Sequence, residues 1–328
     1  MSKRFAALFF ALALVALALQ APAGAQSPPS NFPSKPIQLI VPYPPGGSND
    51  IFARAIGKRL ADAWGKPVIV DNRAGAGGSI GAALVAKAPA DGYTIAVVSS
   101  SFTTNAAIQP NKPFDAVKSF TPVAMIGKGP MILAVAPSSP VNTAEEFFAL
   151  ARSRPGKLNY ASSGPGSINH FATELLLDAA DIQMTHIPYK GMSPAVTDLL
   201  AGHVDVLIAS APSMLQQVKA GKVKGLGITS LSASPIVPGL PPLAAAGAKG
   251  YEAELWWGVL APAGTPKEIV AKLNAEINKI LATGEMKEFL AREGAEPAPM
   301  TPEAFGAAVR ADVERWKRVA KSAGIHAE

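Results

Sequence analysis

Cysteine is absent from all 328 residues, which excludes a disulfide framework and thiol catalysis and accords with an oxidising compartment. Histidine occurs four times, at positions 170, 186, 203 and 326, without the close spacing of a zinc site. Charged residues make up only 16%, and the formal net charge of +6 is spread without a basic block, so no nucleic-acid partner is expected. Neither G-x-G-x-x-G nor G-x-x-x-x-G-K-[ST] occurs, which removes the common nucleotide cradles; no metal or cofactor is expected. Beyond the N-terminus no apolar run reaches membrane-spanning length without charges or prolines.

Hydrophobic residues are plentiful at 48%, enough for a large core and too many for a disordered chain. The length suits two domains on one polypeptide. Residues 1–26 read as an export signal: Lys3 and Arg4 supply the positive start, Phe5–Leu19 the apolar stretch and Ala23-Gly24-Ala25 the cleavage site. The alternative, a membrane anchor, is disfavoured because the run is short for a spanning helix. The mature protein is expected in the periplasm as a monomer.

The organising stretch is Val41–Asp50, V-P-Y-P-P-G-G-S-N-D, between an apolar strand (Ile37–Val41) and a helical pattern carrying Phe52, Ile56, Leu60 and Trp64 on one face. A strand that turns through glycines into a helix aims backbone N–H groups and the positive helix end at one point, a ready anion site. Ser48 or Asn49 reads as its N-cap. Strands at Val68–Val70 and Tyr93–Val98, with the glycine-rich Gly75–Gly78 between them, continue a β-α-β-α-β pattern, which calls for a parallel sheet between helices. Ser99 and Ser100 then fall at the carboxyl edge, where ligands of such sheets gather.

A second loop, Tyr160–His170 (Y-A-S-S-G-P-G-S-I-N-H), repeats the design half a chain later and is expected to face the first. Met131–Ala136 and Leu255–Ala261 read as crossing strands, which gives two lobes: 27–130 with 262–328, and 131–261. A ligand would lie between them. Thr143 with Glu146, and Thr265-Pro266 with Glu268, read as helix starts. The Arg310–Lys321 part of the last helix reads as solvated.

The candidate ligand-binding residues are Tyr43, Pro45, Gly46, Gly47, Ser48, Asn49 and Asp50 in the first loop, and Ser99 and Ser100 beside it. From the second half come Ser162, Ser163, Gly164, Gly166, Ser167, His170, Tyr189, Lys190 and Asp205. Asp50 would repel a bound carboxylate, so capping or water-ordering suits it better unless the ligand carries an amine. His170 could equally cap or pack. Arg73 suits either an anion clamp or a structural tie on the Gly75–Gly78 turn. Asp205, inside an apolar strand, needs a partner or a view of the cleft. An exported hydrolase is the competing reading of Ser163, Ser167 and His170, but Gly164-Pro165-Gly166-Ser167 does not reproduce a strained nucleophile elbow, and no catalytic residue is assigned.

Six motifs in order carry a resemblance: Y-P-P-G-G-x-x-D-x-x-A-R (Tyr43–Arg54), D-N-R-x-G-A-G-G (Asp71–Gly78), S-G-x-G-S-x-x-H (Ser163–His170), H-I-P-Y-K-G (His186–Gly191), G-H-V-D (Gly202–Asp205) and W-G-x-x-A-P-x-G-T-P (Trp257–Pro266). Together they resemble the tripartite tricarboxylate transporter substrate-binding family, the Bug or TctC-like receptors. The resemblance implies an α/β fold of two-lobed periplasmic-binding-protein (Venus flytrap) architecture, each lobe a mainly parallel sheet flanked by helices. It implies a small organic carboxylate as ligand, gripped between the two glycine loops, and integral-membrane transporter subunits, or alternatively a sensor kinase, as partner. The chain departs from the family pattern at Leu231–Ser234, where an arginine usually follows Thr-Ser, and at Pro241-Pro242 and Ala244–Ala246.

Overall fold

The computed structural model describes residues 31–109 and 113–326; the expected export signal lies outside them. The first half opens as read: strand β1 (Ile37–Val41), helix α1 (Ser48–Trp64), β2 (Val68–Asn72), α2 (Ser79–Ala86) and β3 (Thr94–Ser99). Phe52, Ile56 and Leu60 of α1 are fully buried, and Gly65 ends the helix in the left-handed conformation that glycine adopts at low cost. β1 pairs in parallel with both β2 and β3.

Ser100–Ile108, directly after β3, forms a helix, α3. Its serines and threonines are poor helix formers, and tertiary burial holds them: Thr103 and Thr104 are fully buried and donate to the carbonyl of Ser100. The strand expected over Met131–Ala136 begins eleven residues earlier and becomes β4 (Phe120–Val135). Pro122 removes a ladder donor there, and the pairing slips at Pro122/Ala124 and again at Met125/Gly127, the irregularity that hides the strand from pattern reading.

β4 joins the two halves. Residues 120–130 pair antiparallel with β9 (Glu254–Pro262), and residues 131–135 pair antiparallel with β7 (Val206–Ser210) and β8 (Lys224–Ile228). β9 also pairs antiparallel with β3, through residues 257–260, which places it beside the first parallel trio. The second trio is β5 (Asn159–Ser162), β6 (Thr185–Pro188) and β7, all parallel. The result is a mixed α/β architecture on a curled sheet of order β2-β1-β3-β9-β4-β7-β5-β6, with antiparallel strands where the chain crosses between trios.

Helices cover both trios: α4 (Ala144–Ser153), α5 (Ile168–Ala180), α6 (Met192–Ala201) and α7 (Ala211–Lys219) in the second half, then α8 (Lys267–Ala282), α9 (Gly284–Arg292) and α10 (Pro302–Ala323). Thr143 caps α4 as expected, accepting from the amide of Glu146, whose carboxylate accepts from Asn142. Thr265 does not cap α8: its hydroxyl donates to Pro262 and Pro266 takes the cap position. In the Arg310–Lys321 part of α10 the charged Arg310, Glu314, Lys317, Arg318 and Lys321 are exposed as expected, while Val313, Trp316 and Ala320 form a buried stripe and Trp316 meets Phe171 edge-on at 5.3 Å.

Candidate functional site

Gly46, at φ +83°, makes the turn that no side-chain-bearing residue makes cheaply, and Gly47 caps α1 with extended backbone. The cap therefore belongs neither to Ser48 nor to Asn49; their side chains are used elsewhere. Ser48 accepts from the indole of the fully buried Trp257 at 2.9 Å. Asn49 donates to Ser99 at 3.3 Å, and its carbonyl oxygen is buried without a partner. The amides of Ser48 and Asn49 open the helix, where no preceding turn can accept from them. Asp50 is the fastener of this loop. It accepts from the Gly46 amide at 3.0 Å, from Asn72 at 3.0 Å and from the Arg54 guanidinium at 2.9 and 3.0 Å. Burial alone would raise its pKa, but the hydrogen bonds and the charge of Arg54 outweigh that and hold it below the usual carboxylate range.

The second loop is fastened from beneath. Gly164 donates to Ser162 at 3.1 Å, Gly166 donates to Nδ1 of His170 at 3.2 Å, and the Ser167 amide and hydroxyl both donate to the Gly164 carbonyl. Ser162 in turn lies 2.6 Å from Nε2 of His186, and His186 stacks on His170 at 4.2 Å and on Tyr160 at 4.7 Å. Tyr160 donates to Glu174, whose carboxylate lies 3.9 Å from Nε2 of His170. Burial drives the His170 pKa down to about 4, so its ring is neutral and free to accept.

The two loops meet. Ser193, at the start of α6, donates to the carbonyl of Pro45 at 3.0 Å, and the Ile168 amide donates to Ser101 at 3.2 Å. Between them are two joined spaces. The smaller, about 50 Å³, is lined by Tyr43, Gly47, Ser48, Asn49, Ser99, Ser101, Ser163, Asn169 and Ser210 among others, and no Lys or Arg is in its wall. The larger, about 550 Å³, shares Tyr43, Pro44, Ser101, Ser163 and Gly191 with it and adds Gly164, Ser167, Tyr189, Lys190 and the small residues Ala74–Gly78. The arrangement suits an anionic head in the recess and the body of a ligand in the chamber.

Of the residues expected from sequence, Tyr43, Gly47, Ser48, Asn49, Ser99, Ser163, Gly164, Ser167, Tyr189 and Lys190 line one or both spaces. Pro45, Gly46, Asp50, Ser100, Ser162, Gly166, His170 and Asp205 line neither. Ser100 accepts from the Trp256 amide, and Asp205 accepts from the Asn159 amide at the start of β5. Asp205 thus finds its partner at the end of β7 remote from Ser210, which lines the recess. Arg73 pairs with Asp71 at 2.9 Å and lines neither space. Sequence reasoning missed Ser101, Asn105, Asn169 and the Ala74–Gly78 wall. The wall was legible, since four consecutive small residues follow Ala74. Gly77–Gly81 also spells G-x-S-x-G, but Ser79 follows a short 3-10 turn rather than a strand and donates to Gln109.

The sequence profile of the tripartite tricarboxylate transporter family receptor, TctC, matches residues 52–325. The chain belongs to this family. Protein BugT of Bordetella pertussis is 37% identical over 308 residues, 93% of this chain and 94% of that protein. Among solved structures, R. palustris Rpa4515 with adipate is 37% identical, with a TM-score of 0.88 over 90% of this chain and 99% of that one. MatC (Rpa3494) from Rhodopseudomonas palustris with bound malate is 32% identical, with a TM-score of 0.83 over 88% and 99%. The two-lobed periplasmic-binding-protein fold and the TctC-type receptor class follow from these matches. Among the described residues, no helix is long and apolar enough to cross a membrane.

Proposed function

We propose that this TctC-family chain is an exported receptor that captures a small organic carboxylate between its glycine loops and delivers it to integral-membrane transporter subunits. The observation that carries the reading is the recess at the start of α1. It offers the helix-opening amides of Ser48 and Asn49 and the hydroxyl of Ser101. The ligands of Rpa4515 and MatC, adipate and malate, are both carboxylates.

Binding without turnover is part of the proposal. Ser163 gives its proton to Asn169 and Ser167 gives its proton to Gly164. The His170 ring is engaged by Gly166, so the Ser167–His170 pair is not arranged as nucleophile and base. The test is calorimetric titration with a panel of carboxylic acids, followed by recovery of the ligand. Stoichiometric binding with the acid recovered unchanged is expected. Consumption of any acid or ester, or the absence of binding across the panel, overturns the reading.

A further inference from the structure

A second enclosure lies away from the glycine loops, where the first turns of α8 and α10 meet the start of β4. It consists of an outer space of about 590 Å³ and an inner one of about 190 Å³, which share Thr121, Pro122, Gly306 and Arg310 in their walls. The chain leaves this room for a local reason. Pro122 has no amide to pair, the ladder with β9 slips after it, and small residues line the helices there, Gly306 on α10 and Ala271 on α8. The inner space is largely apolar and reaches the core, with the buried Phe120, Leu260 and Val309 in its wall. Arg310 stands where the two spaces join: its Nη1 lies 3.4 Å from the place a Cβ on Gly306 would take. The outer space has three charged side chains, the cations Lys267 and Arg310 and the acid Glu303, and none of them enters an ion pair among the described residues. The wall therefore carries a surplus of one positive charge beside an apolar cavity.

We propose that this enclosure is a second ligand site, separate from the cleft, for an amphipathic monocarboxylic acid, with its apolar body in the inner space and its carboxylate at Arg310. An apolar cavity of about 150 Å³ is enough to hold benzene, so the inner space has room for a six-membered ring. Charge sets the head group. A monoanion balances the surplus on the wall, whereas a dianion brings its second carboxylate against Glu303. The recess of the cleft has no cation in its wall, so the two sites hold an acid by different means, backbone and hydroxyl donors in one and a guanidinium in the other.

The experiment is titration calorimetry with 4-phenylbutanoate and its uncharged amide on the parent, Ala271→Trp, Arg310→Gln and Arg310→Lys proteins. Ala271 and Arg310 are exposed, so the variants should fold, which thermal unfolding checks. Neither residue lines the cleft, so any binding of the probe there persists in every variant. The parent should show a binding component that Ala271→Trp abolishes by filling the outer space. Arg310→Gln should weaken that component about two- to fivefold and Arg310→Lys should restore most of it. The amide should bind the parent about two- to fivefold more weakly than the acid. Absence of binding to the parent, a Ala271→Trp protein that titrates as the parent does, or an amide that binds as tightly as the acid overturns the proposal. So does an Arg310→Gln protein with unchanged affinity, and this comparison decides even where Ala271→Trp fails to fold. None of these outcomes bears on carboxylate capture in the cleft.

Discussion

Lowering the pH should strain the second loop through His170. The ring is neutral because burial lowers its pKa from 6.5 to about 4, with 12% of the side chain exposed. The unfolded chain takes up a proton near pH 6.5 while the folded chain does not, so the unfolded state binds more protons throughout the window between these values. Stability is therefore undiminished above about pH 6.5 and declines as the pH falls towards about 4, below which this residue adds no further loss. At about 1.36 kcal/mol per pKa unit the full loss is on the order of 3 kcal/mol. Protonation also converts Nδ1 from acceptor to donor, which sets it against the Gly166 amide and loosens the turn. The assay is urea unfolding from pH 8 to pH 4 of the parent and of His170→Asn, whose side-chain oxygen can keep the acceptor near the Nδ1 position. The parent should lose about 3 kcal/mol more than the variant across the window, the other histidines cancelling in the difference. Parallel stability curves would refute the argument.

Gly46→Ala should destabilise the protein by about 1 kcal/mol in thermal unfolding, because it forces a side chain into the left-handed region with its Cβ 3.2 Å from Ser193. Gly47→Ala should leave stability unchanged, since its φ of −83° is ordinary and its Cβ would meet only the Pro44 carbonyl at 3.9 Å, but it should weaken ligand binding by calorimetry because the methyl group borders the recess. Asp50→Ala should cost about 1.5–3 kcal/mol in urea unfolding by leaving the Gly46 amide, Asn72 and Arg54 without their acceptor. Between low and high ionic strength, monoacid affinity should change by less than about twofold, because the recess holds the carboxylate without a cation; a steep slope would place a lysine or arginine on it.

The loops that build the site were legible because their glycines and prolines interrupt apolar strands at two places and each opens a helix. What each residue does within a loop was not. Asp50, Ser162, His170 and Asp205 are polar groups in cleft-bearing motifs, yet all four point into the scaffold and satisfy backbone amides, directly or through a neighbour. Residue type and spacing do not distinguish a group facing a ligand from one holding the loop that does. Helix α3 was hidden for a different reason: Ser-Ser-Phe-Thr-Thr-Asn reads as loop by propensity, and only contacts made far along the chain, such as Thr103 donating to Asp312, make it helical. The first part of β4 was masked by Pro122, Gly127, Gly129 and Pro130, which read as breakers until β9 is seen to pair with them.

The most direct measurement is a crystal structure of the protein grown with adipate. The account predicts one carboxylate in the recess, its oxygens about 3 Å from the amides of Ser48 and Asn49, with Ser163 closing over it from the other side. A bound acid whose carboxylates both lie outside that recess, at the chamber mouth or elsewhere on the surface, would contradict it.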